Sequence, residues 1–248
     1  IYNKGYSESI YTKRLLALSN EIKKLGKEFD EVFIVNLGDE VDGWNGKTTR
    51  YDHDLVESLS NKEQFNIYTT GRRIFYDDIL TSGVASKYTI ISLNNSNHSG
   101  KGLSYILNKA MEFYIESRYM NVSILNFERF IDTIQYGNHI IALTHGKDEE
   151  LMKSPLPLNL DAKTDLWLFE YYDKLGYSPS KYFTSTLKGD IHKFNMNSGK
   201  SGRYVNCPSI AGGSGWIELN FGDTRAGALL EIVEKTSPNI TTLPIWFN

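Results

Sequence analysis

Four short apolar runs, each followed closely by a polar group, constrain the fold of this chain more than any other feature. Residues 32–37, 88–93, 140–143 and 183–187 are rich in apolar and β-branched side chains, which predicts strands. The polar groups that follow these runs are Gly38-Asp39-Glu40-Val41-Asp42, Asn97-His98, Thr144-His145-Gly146 and Gly189-Asp190-Ile191-His192. Because the carboxyl ends of the strands of an open α/β sheet line a common crevice, we expect these groups to converge.

Helical periodicity separates the early strands. Helices are predicted at 7–27, 61–80, 103–118 and 161–175, with Ser7 and Asp161 as N-terminal caps. The remaining predicted strands are 122–125, 130–136, 203–206, 228–233 and 241–246. Helices and strands alternate early and strands dominate late, which favours an α/β sandwich with a second, more antiparallel sheet. Since no Pro-, Gly- or Ser-rich linker divides the sequence, we expect residues 1–248 to form a single domain.

Two segments carry more local predictions. In the helix at 103–118, helical spacing places six residues on one buried face: Leu103, Ile106, Leu107, Ala110, Phe113 and Tyr114. The glycine-rich segment 212–215 is not followed by a helical pattern, so it is predicted to be a flexible turn.

Composition narrows the classes of protein. A chain of 248 residues with 40% hydrophobic residues can bury a sizeable core, and its net charge of −3 gives no global basic field that would attract nucleic acid. The single cysteine, Cys207, excludes an intramolecular disulfide framework and a cysteine-rich zinc site. No apolar stretch approaches the roughly 20 residues needed to cross a bilayer, so we expect a cytoplasmic protein without membrane contact.

The polar groups supply the ligand types of a two-metal hydrolytic site. In such a site, two divalent ions about 3.5–4 Å apart stabilise the attacking and the leaving oxygen of a phosphoryl transfer. The candidate ligands are Asp39, Asn97, His145, Asp190 and His192. Asp190 and His192 are two residues apart, so an extended segment would face both side chains to one side. His98 follows Asn97 directly and is a candidate proton donor to the leaving oxygen.

In their order and spacing, these groups resemble the motifs of the calcineurin-like metallophosphoesterases. That family carries D-x-H, G-D-x-x-D, G-N-H-D/E, a lone H and G-H-x-H. Residues 38–42 match the second block, 96–99 keep the central Asn-His of the third, and His145 fits the lone histidine. Residues 189–192 keep the glycine and the last histidine, with Asp190 in place of the first. The resemblance covers about residues 8–235 and looks closest to bacteriophage-encoded members, which share stretches similar to 42–50, 61–65 and 145–148.

The resemblance implies a fold: a four-layer α/β/β/α sandwich of two mixed sheets flanked by helices. The D-x-H block is absent, and it would precede the helix at 7–27. We therefore expect the first strand to be missing before Ile1, which makes this chain the C-terminal part of a longer one. The alternative is a protein whose first metal site is degraded.

The resemblance also implies a role for each matching residue. Asp39 would bridge two divalent ions, of which Asn97, His145 and Asp190 hold one and His192 holds the other. Because a carboxylate replaces an imidazole at position 190, Mn²⁺ is the expected metal, with Mg²⁺, Zn²⁺ and Fe as the other candidates.

Catalytic and substrate-binding residues are implied in the same way. His98 would be the general acid, and Asp42 would orient it or its neighbours. Ser99 replaces the carboxylate that usually orients the catalytic histidine of the family. Arg50 and His53, in the long polar segment 43–59, are candidates for contacting a phosphate.

The leading functional hypothesis is a dimetal-dependent phosphoesterase that hydrolyses phosphate esters with metal-activated water. Likeness to phage enzymes favours a nuclease or nucleotide phosphodiesterase in the host cytoplasm, with DNA or a nucleotide as the substrate. A protein phosphatase is the nearest enzymatic alternative. The non-catalytic alternative is a phosphoesterase-like binding or accessory module, which the absent D-x-H block, Ser99 and Asp190 favour. The sequence leaves the oligomeric state open.

Overall fold

The structure of this chain, a computed structural model, describes residues 7–26, 29–41, 43, 47, 60–148, 152, 154–213, 215–222 and 224–248. Their contacts divide them into two compact units. The first unit holds the described residues up to Arg129, with Asp148 and Phe247. The second holds Phe130 to Lys147 and the described residues from Met152 to Trp246, with Asn248. A division of contacts does not by itself define separate domains, so the single domain stays a prediction.

The first unit is a parallel sheet connected by helices. Its elements are α1 (Glu8–Lys24), β1 (Phe29–Asn36), α2 (Asn61–Leu80), β2 (Ala85–Leu93), α3 (Gly100–Glu116) and β3 (Val122–Phe127). The strand order is β1-β2-β3 and both pairs are parallel, with Asn36 opposite Ser92 at the carboxyl ends. Every element lies where the sequence predicts it. Ser7 caps α1 as predicted, accepting a hydrogen bond from the Ile10 N–H.

The first unit brings α1 and α2 into close contact at Gly71. A Cβ atom at this position would lie 2.6 Å from the ring of Tyr11, far inside van der Waals contact. Glycine inside a helix normally costs about 1 kcal/mol relative to alanine. Here the absence of a side chain lets the Tyr11 ring pack directly on the backbone of α2.

We expect Gly71→Ala to lower the free energy of unfolding by about 1–3 kcal/mol, because the overpacking cost exceeds the gain in helix propensity. Gly102→Ala in α3 is the matched control, since no atom lies within 4 Å of its added Cβ. That control should leave stability unchanged or raise it by up to about 1 kcal/mol. Urea unfolding of both variants measures the difference, and equal stability of the two would contradict the steric argument.

The buried face of α3 differs from the predicted one. The residues that the helix buries are Gly100, Ser104, Leu107, Asn108, Met111 and Ile115. Ile106 and Phe113, which were predicted to be buried, are 50% and 69% exposed. The prediction was wrong because it ranked residues by polarity alone. Ser104 and Asn108 turn inward because both donate hydrogen bonds to the carboxylate of Glu40.

The second unit contains a mixed sheet and a separate antiparallel pair of strands. Its elements are β4 (Ile131–Tyr136), β5 (His139–Thr144), α4 (Ala162–Lys174), β6 (Phe183–Lys188), β7 (Asn195–Gly199), β8 (Gly202–Asn206), α5 (Gly215–Phe221), β9 (Gly227–Val233) and β10 (Ile240–Trp246). The mixed sheet has the order β4-β5-β6-β8-β7, in which β5, β6 and β8 are parallel and the two edge strands are antiparallel. Leu168 and Tyr172 of α4 pack against Ile140, Ala142 and Tyr204 of this sheet.

Two elements of the second unit were not predicted. Strand β7 has the sequence NMNSG, which has little β-propensity. It forms because Asp165 of α4 holds the turn to β8, accepting from the backbone N–H groups of Lys200 and Ser201 at 2.9 Å. Helix α5 begins at Gly215, the last residue of the segment 212–215 that was predicted to be a flexible turn without a following helix. A helix of seven residues is too short for its periodicity to be recognised in the sequence.

The α/β class with sheets flanked by helices is confirmed. Two mixed sheets were predicted, but over the described residues the β1-β2-β3 sheet is wholly parallel. The reason is that β2 and β3 each follow a helix, and such crossover connections join parallel strands. The four-layer arrangement and the missing first strand stay predictions. No helix among the described residues has the length and apolarity that crossing a membrane requires.

Candidate metal centre

The predicted site residues follow strand ends, as expected. In the first unit the neighbouring parallel strands β1 and β2 end at Asn36 and Leu93, and Asp39 and Asn97-His98 come shortly after them. In the second unit the parallel neighbours β5 and β6 end at Thr144 and Lys188, which lie opposite each other in register. His145 follows β5 directly, and Asp190 and His192 follow β6. The convergence of all four groups stays a prediction.

In the first unit, Asp39 is tied to the loop that carries His98. The Oδ1 atom of Asp39 accepts a hydrogen bond from the backbone N–H of His98 at 3.0 Å. The backbone N–H of Gly43 in turn donates to the carbonyl oxygen of His98 at 3.1 Å. Residues 89–97 and 99–100 are all buried, whereas the His98 side chain is exposed. The loop therefore fixes the His98 backbone and leaves its imidazole accessible to a ligand from solvent.

In the second unit, His145 and Asp190 come together. The His145 side chain is 2% exposed, and its Nε2 atom lies 3.7 Å from Oδ1 of Asp190. This separation is too long for a hydrogen bond. It fits two ligands of one cation, because atoms that each lie about 2.0–2.2 Å from the same ion are about 3–4 Å apart. His145 and Asp190 therefore form a candidate metal site.

His192 adopts the tautomer that a metal ligand needs. Its Nδ1 atom lies 2.8 Å from the carbonyl oxygen of Gly212. A carbonyl can only accept, so Nδ1 carries the proton, and in the neutral ring the lone pair is on Nε2. Metal-binding histidines commonly have their second ring nitrogen fixed by such a hydrogen bond.

The segment that carries Asp190 and His192 is a tight turn, not an extended chain. The φ angles of the two residues are 66° and 59°, in the left-handed region. The backbone N–H of Ile191 donates to the carbonyl oxygen of Gly189 at 2.9 Å, and the Ile191 side chain is fully buried. The prediction that both side chains face one side of an extended strand was therefore wrong. Strand β6 ends at Lys188, and the turn begins immediately after it.

Backbone strain coincides with the candidate ligands. Three non-glycine residues of the described chain have a positive φ angle: Asp39, Asp190 and His192, with φ of 53°, 66° and 59°. Left-handed conformation is unfavourable for residues with a side chain, and it persists where the surroundings enforce it, often at functional sites. The sequence predicts all three of these residues to be metal ligands.

Lys188 is a buried lysine that the sequence did not predict. Its side chain is fully buried at the end of β6, and its Nζ atom donates to the carbonyl oxygen of Gly189 at 3.3 Å. A Cβ atom on Gly146 would lie 3.5 Å from this Nζ and 3.7 Å from Cβ of Asp190, so both side chains line the same small space. Burial lowers the pKa of Lys188 to about 8, and the nearby Asp190 carboxylate opposes the shift. The available signal was a lysine at the end of a strand directly before Gly-Asp.

The types of donor atom among the candidate ligands suit a divalent cation. Asp39, His145 and Asp190 each offer a carboxylate oxygen or an imidazole nitrogen. Asn97 is buried next to His98 and adds a neutral amide oxygen. Oxygen and imidazole donors without sulfur suit Mn²⁺, Mg²⁺ and Zn²⁺. Asp42, Arg50 and His53 lie outside the described residues, so their roles stay predictions.

Comparisons with known proteins give structural likenesses at low identity. No protein-family model matches this sequence, and no curated protein does. Vps29 from Entamoeba histolytica, in complex with Zn²⁺, has a TM-score of 0.39 and 13% identity over 88% of this chain and 99% of its own. Vps29 from Cryptosporidium parvum has a TM-score of 0.36 and 12% identity over 88% and 97%. PhoD has a TM-score of 0.37 and 10% identity over 94% and 65%. Values this low describe a limited likeness of backbone path, and the fold class rests on this chain's own strands and helices.

Proposed function

We propose that this chain is a metal-dependent phosphoesterase that hydrolyses phosphate ester bonds. The observation that carries the proposal is the left-handed backbone at Asp39, Asp190 and His192. Each of these residues follows a strand end, and each offers a metal-binding atom. A strained backbone at three such positions is readily explained if it aims these atoms at a ligand.

The proposed ligands of two divalent cations, Mn²⁺ by preference, are Asp39, Asn97, His145, Asp190 and His192. The cations supply activation of water and neutralisation of phosphate charge. The exposed imidazole of His98 donates a proton to the leaving oxygen, and Asp42 orients the groups around it. Arg50 and His53 bind the phosphate. The proposed substrate is a phosphodiester in DNA or in a nucleotide, and this choice rests on the resemblance to phage enzymes alone.

A non-catalytic binding or accessory role is the second candidate. The fully buried ammonium of Lys188 favours it, because a cation close to Asp190 opposes the binding of a metal ion there. A protein phosphatase differs from the leading proposal in its substrate only, so the same assay with a phosphopeptide tests it.

The test is hydrolysis of bis-p-nitrophenyl phosphate, p-nitrophenyl phosphate, single-stranded DNA and a phosphopeptide, with Mn²⁺, Mg²⁺ or Zn²⁺ and with EDTA. We expect diester turnover that requires a metal and that Asp39→Asn lowers more than tenfold. Asparagine tolerates the left-handed backbone and keeps the Oδ1 acceptor for the His98 N–H, so this change removes mainly the charge.

Asp30→Asn, at an exposed position near the start of β1, the strand that precedes Asp39, is the matched control and should retain full turnover. Isothermal titration with Mn²⁺ separates the two candidate functions. Metal binding without turnover of any substrate would support the accessory role, and neither binding nor turnover would overturn both candidates.

A further inference from the structure

The carboxylate of Glu40 is the centre of a hydrogen-bond network in the first unit. Its Oε1 atom accepts from the side-chain amides of Asn36 at 3.1 Å and Asn108 at 2.9 Å. Its Oε2 atom accepts from the hydroxyls of Ser99 at 2.9 Å and Ser104 at 2.7 Å. All four donors are buried. One carboxylate therefore satisfies four buried donors, and bonds to a charged acceptor are about twice as strong as neutral ones.

The four donors come from three different parts of the unit. Asn36 is the last residue of β1, Ser99 follows His98 in the loop after β2, and Ser104 and Asn108 lie on α3. The Ser99 hydroxyl also lies 3.0 Å from the Ser96 hydroxyl and 2.9 Å from the Ser104 hydroxyl. Glu40 thus joins the end of β1, the loop 94–99 and the first turns of α3 at one point.

Glu40 is also adjacent to Asp39, which accepts from the His98 backbone. Two hydrogen bonds therefore link residues 39–40 to residues 98–99. One joins Asp39 to the His98 backbone, and the other joins Glu40 to the Ser99 hydroxyl. If the carboxylate of Glu40 is removed, the buried hydroxyls of Ser99 and Ser104 lose their charged acceptor. The loop can then move away from α3.

We propose that Glu40 is a positioning residue that holds the loop carrying Asn97 and His98 in place relative to Asp39. Its carboxylate touches neither substrate nor metal in this role and acts only through Ser99, Ser104 and Asn108. The activity readout below rests on the proposed function, whereas the exchange readout does not.

Amide hydrogen exchange tests the positioning directly. In Glu40→Ala, exchange of the His98 and Gly43 amides should become at least tenfold faster than in the parent, because both bonds depend on the position of this loop. Glu31→Ala is the matched control: Glu31 lies on β1, the strand that precedes Glu40, and its carboxylate accepts from Thr89 at 2.6 Å and Lys87 at 3.0 Å, which are outside the 94–99 loop. It should leave both amides unchanged. Unchanged protection in Glu40→Ala would overturn the proposal.

Two further variants keep the test decisive if Glu40→Ala does not fold. Ser99→Ala removes only the hydroxyl that links Glu40 to the loop, and it should accelerate exchange at His98 without unfolding the unit. Glu40→Gln retains an acceptor and adds a donor that the serine hydroxyls can accept, so it should restore protection to within a few-fold of the parent. Parent-like exchange in Ser99→Ala would overturn the proposal as well.

Kinetics then relates the positioning to activity. In a parent that turns over the diester substrate, Glu40→Ala should lower kcat with little change in KM, and Glu40→Gln should recover most of it. The measurement is made at a temperature where both variants are folded. A difference in kcat between them then reports the position of the loop and not a loss of stability. A parent without turnover would refute the proposed function and leave the exchange result to decide the role of Glu40.

Discussion

His98→Gln is expected to lower kcat for diester hydrolysis about 10²- to 10⁴-fold, the range that a positioned acid or base contributes. Glutamine keeps the size and hydrogen-bonding capacity of the side chain but cannot transfer a proton near neutral pH. The imidazole is exposed, and the hydrogen bonds that the His98 backbone makes with Asp39 and Gly43 do not depend on the side chain. The melting temperature and the affinity for Mn²⁺ should therefore stay at their parent values.

His192→Gln is the contrasting variant. The proposed role of His192 is metal binding, so its replacement should weaken Mn²⁺ affinity at least tenfold and should lower turnover chiefly at low metal concentration. Steady-state kinetics across a metal titration distinguishes the two changes. Parent-like kcat in His98→Gln would remove His98 from the mechanism, and a shared loss of metal affinity in both variants would show that His98 is a ligand instead.

Local signals predicted the elements well. The helix at 61–80 has the predicted bounds, and a capping box formed by Ser60 and Glu63 explains its sharp start. The four strands that precede the polar groups were identified because apolar, β-branched runs are distinctive over even six residues. Since β1 and β2 are parallel, as are β5 and β6, the polar groups at their carboxyl ends were also placed correctly on each sheet.

What the sequence did not predict depends on contacts between distant residues. The inner face of α3 was misassigned because Ser104 and Asn108 are buried only by virtue of Glu40, more than 60 residues away in sequence. Strand β7 depends on Asp165 of another element. The turn at 189–192 replaces the expected extended segment, and no periodic pattern can reveal a change of φ at single residues. Burial of Lys188 is equally invisible, because lysine is almost never expected inside a protein.

Lys188→Met is expected to stabilise the metal-free protein at pH 7 by about 2–3 kcal/mol. The pKa of Lys188 falls from 10.5 to about 8 on folding, and a shift of this size corresponds to about 3 kcal/mol against the charged form in the folded state. This pKa already includes the attraction to Asp190, which offsets part of the cost of burial. Methionine has a similar length, carries no charge and suits a buried position.

The pH dependence of the free energy of unfolding tests whether the buried charge of Lys188 is destabilising. Below about pH 8 both states of the parent are protonated at Lys188, so the full cost of burying the charge is present. Between about pH 8 and 10.5 the unfolded chain binds the proton and the folded chain does not, so parent stability should rise relative to Lys188→Met. Urea unfolding in EDTA at pH 7 and pH 10 measures this convergence. Lys174→Met, at an exposed position with a weak pair to Glu170 at 3.9 Å, is the control and should show no such dependence.

The same substitution should raise the affinity of the site for Mn²⁺ about tenfold or more. The Lys188 ammonium lies near Asp190 and repels a divalent cation that binds to this carboxylate. The protein interior screens this repulsion poorly. Removing the ammonium therefore favours metal binding, whereas Lys174→Met should not change it. Unchanged or weaker Mn²⁺ binding in Lys188→Met would show that the lysine does not oppose the metal, and that a cation, if bound, lies away from Asp190.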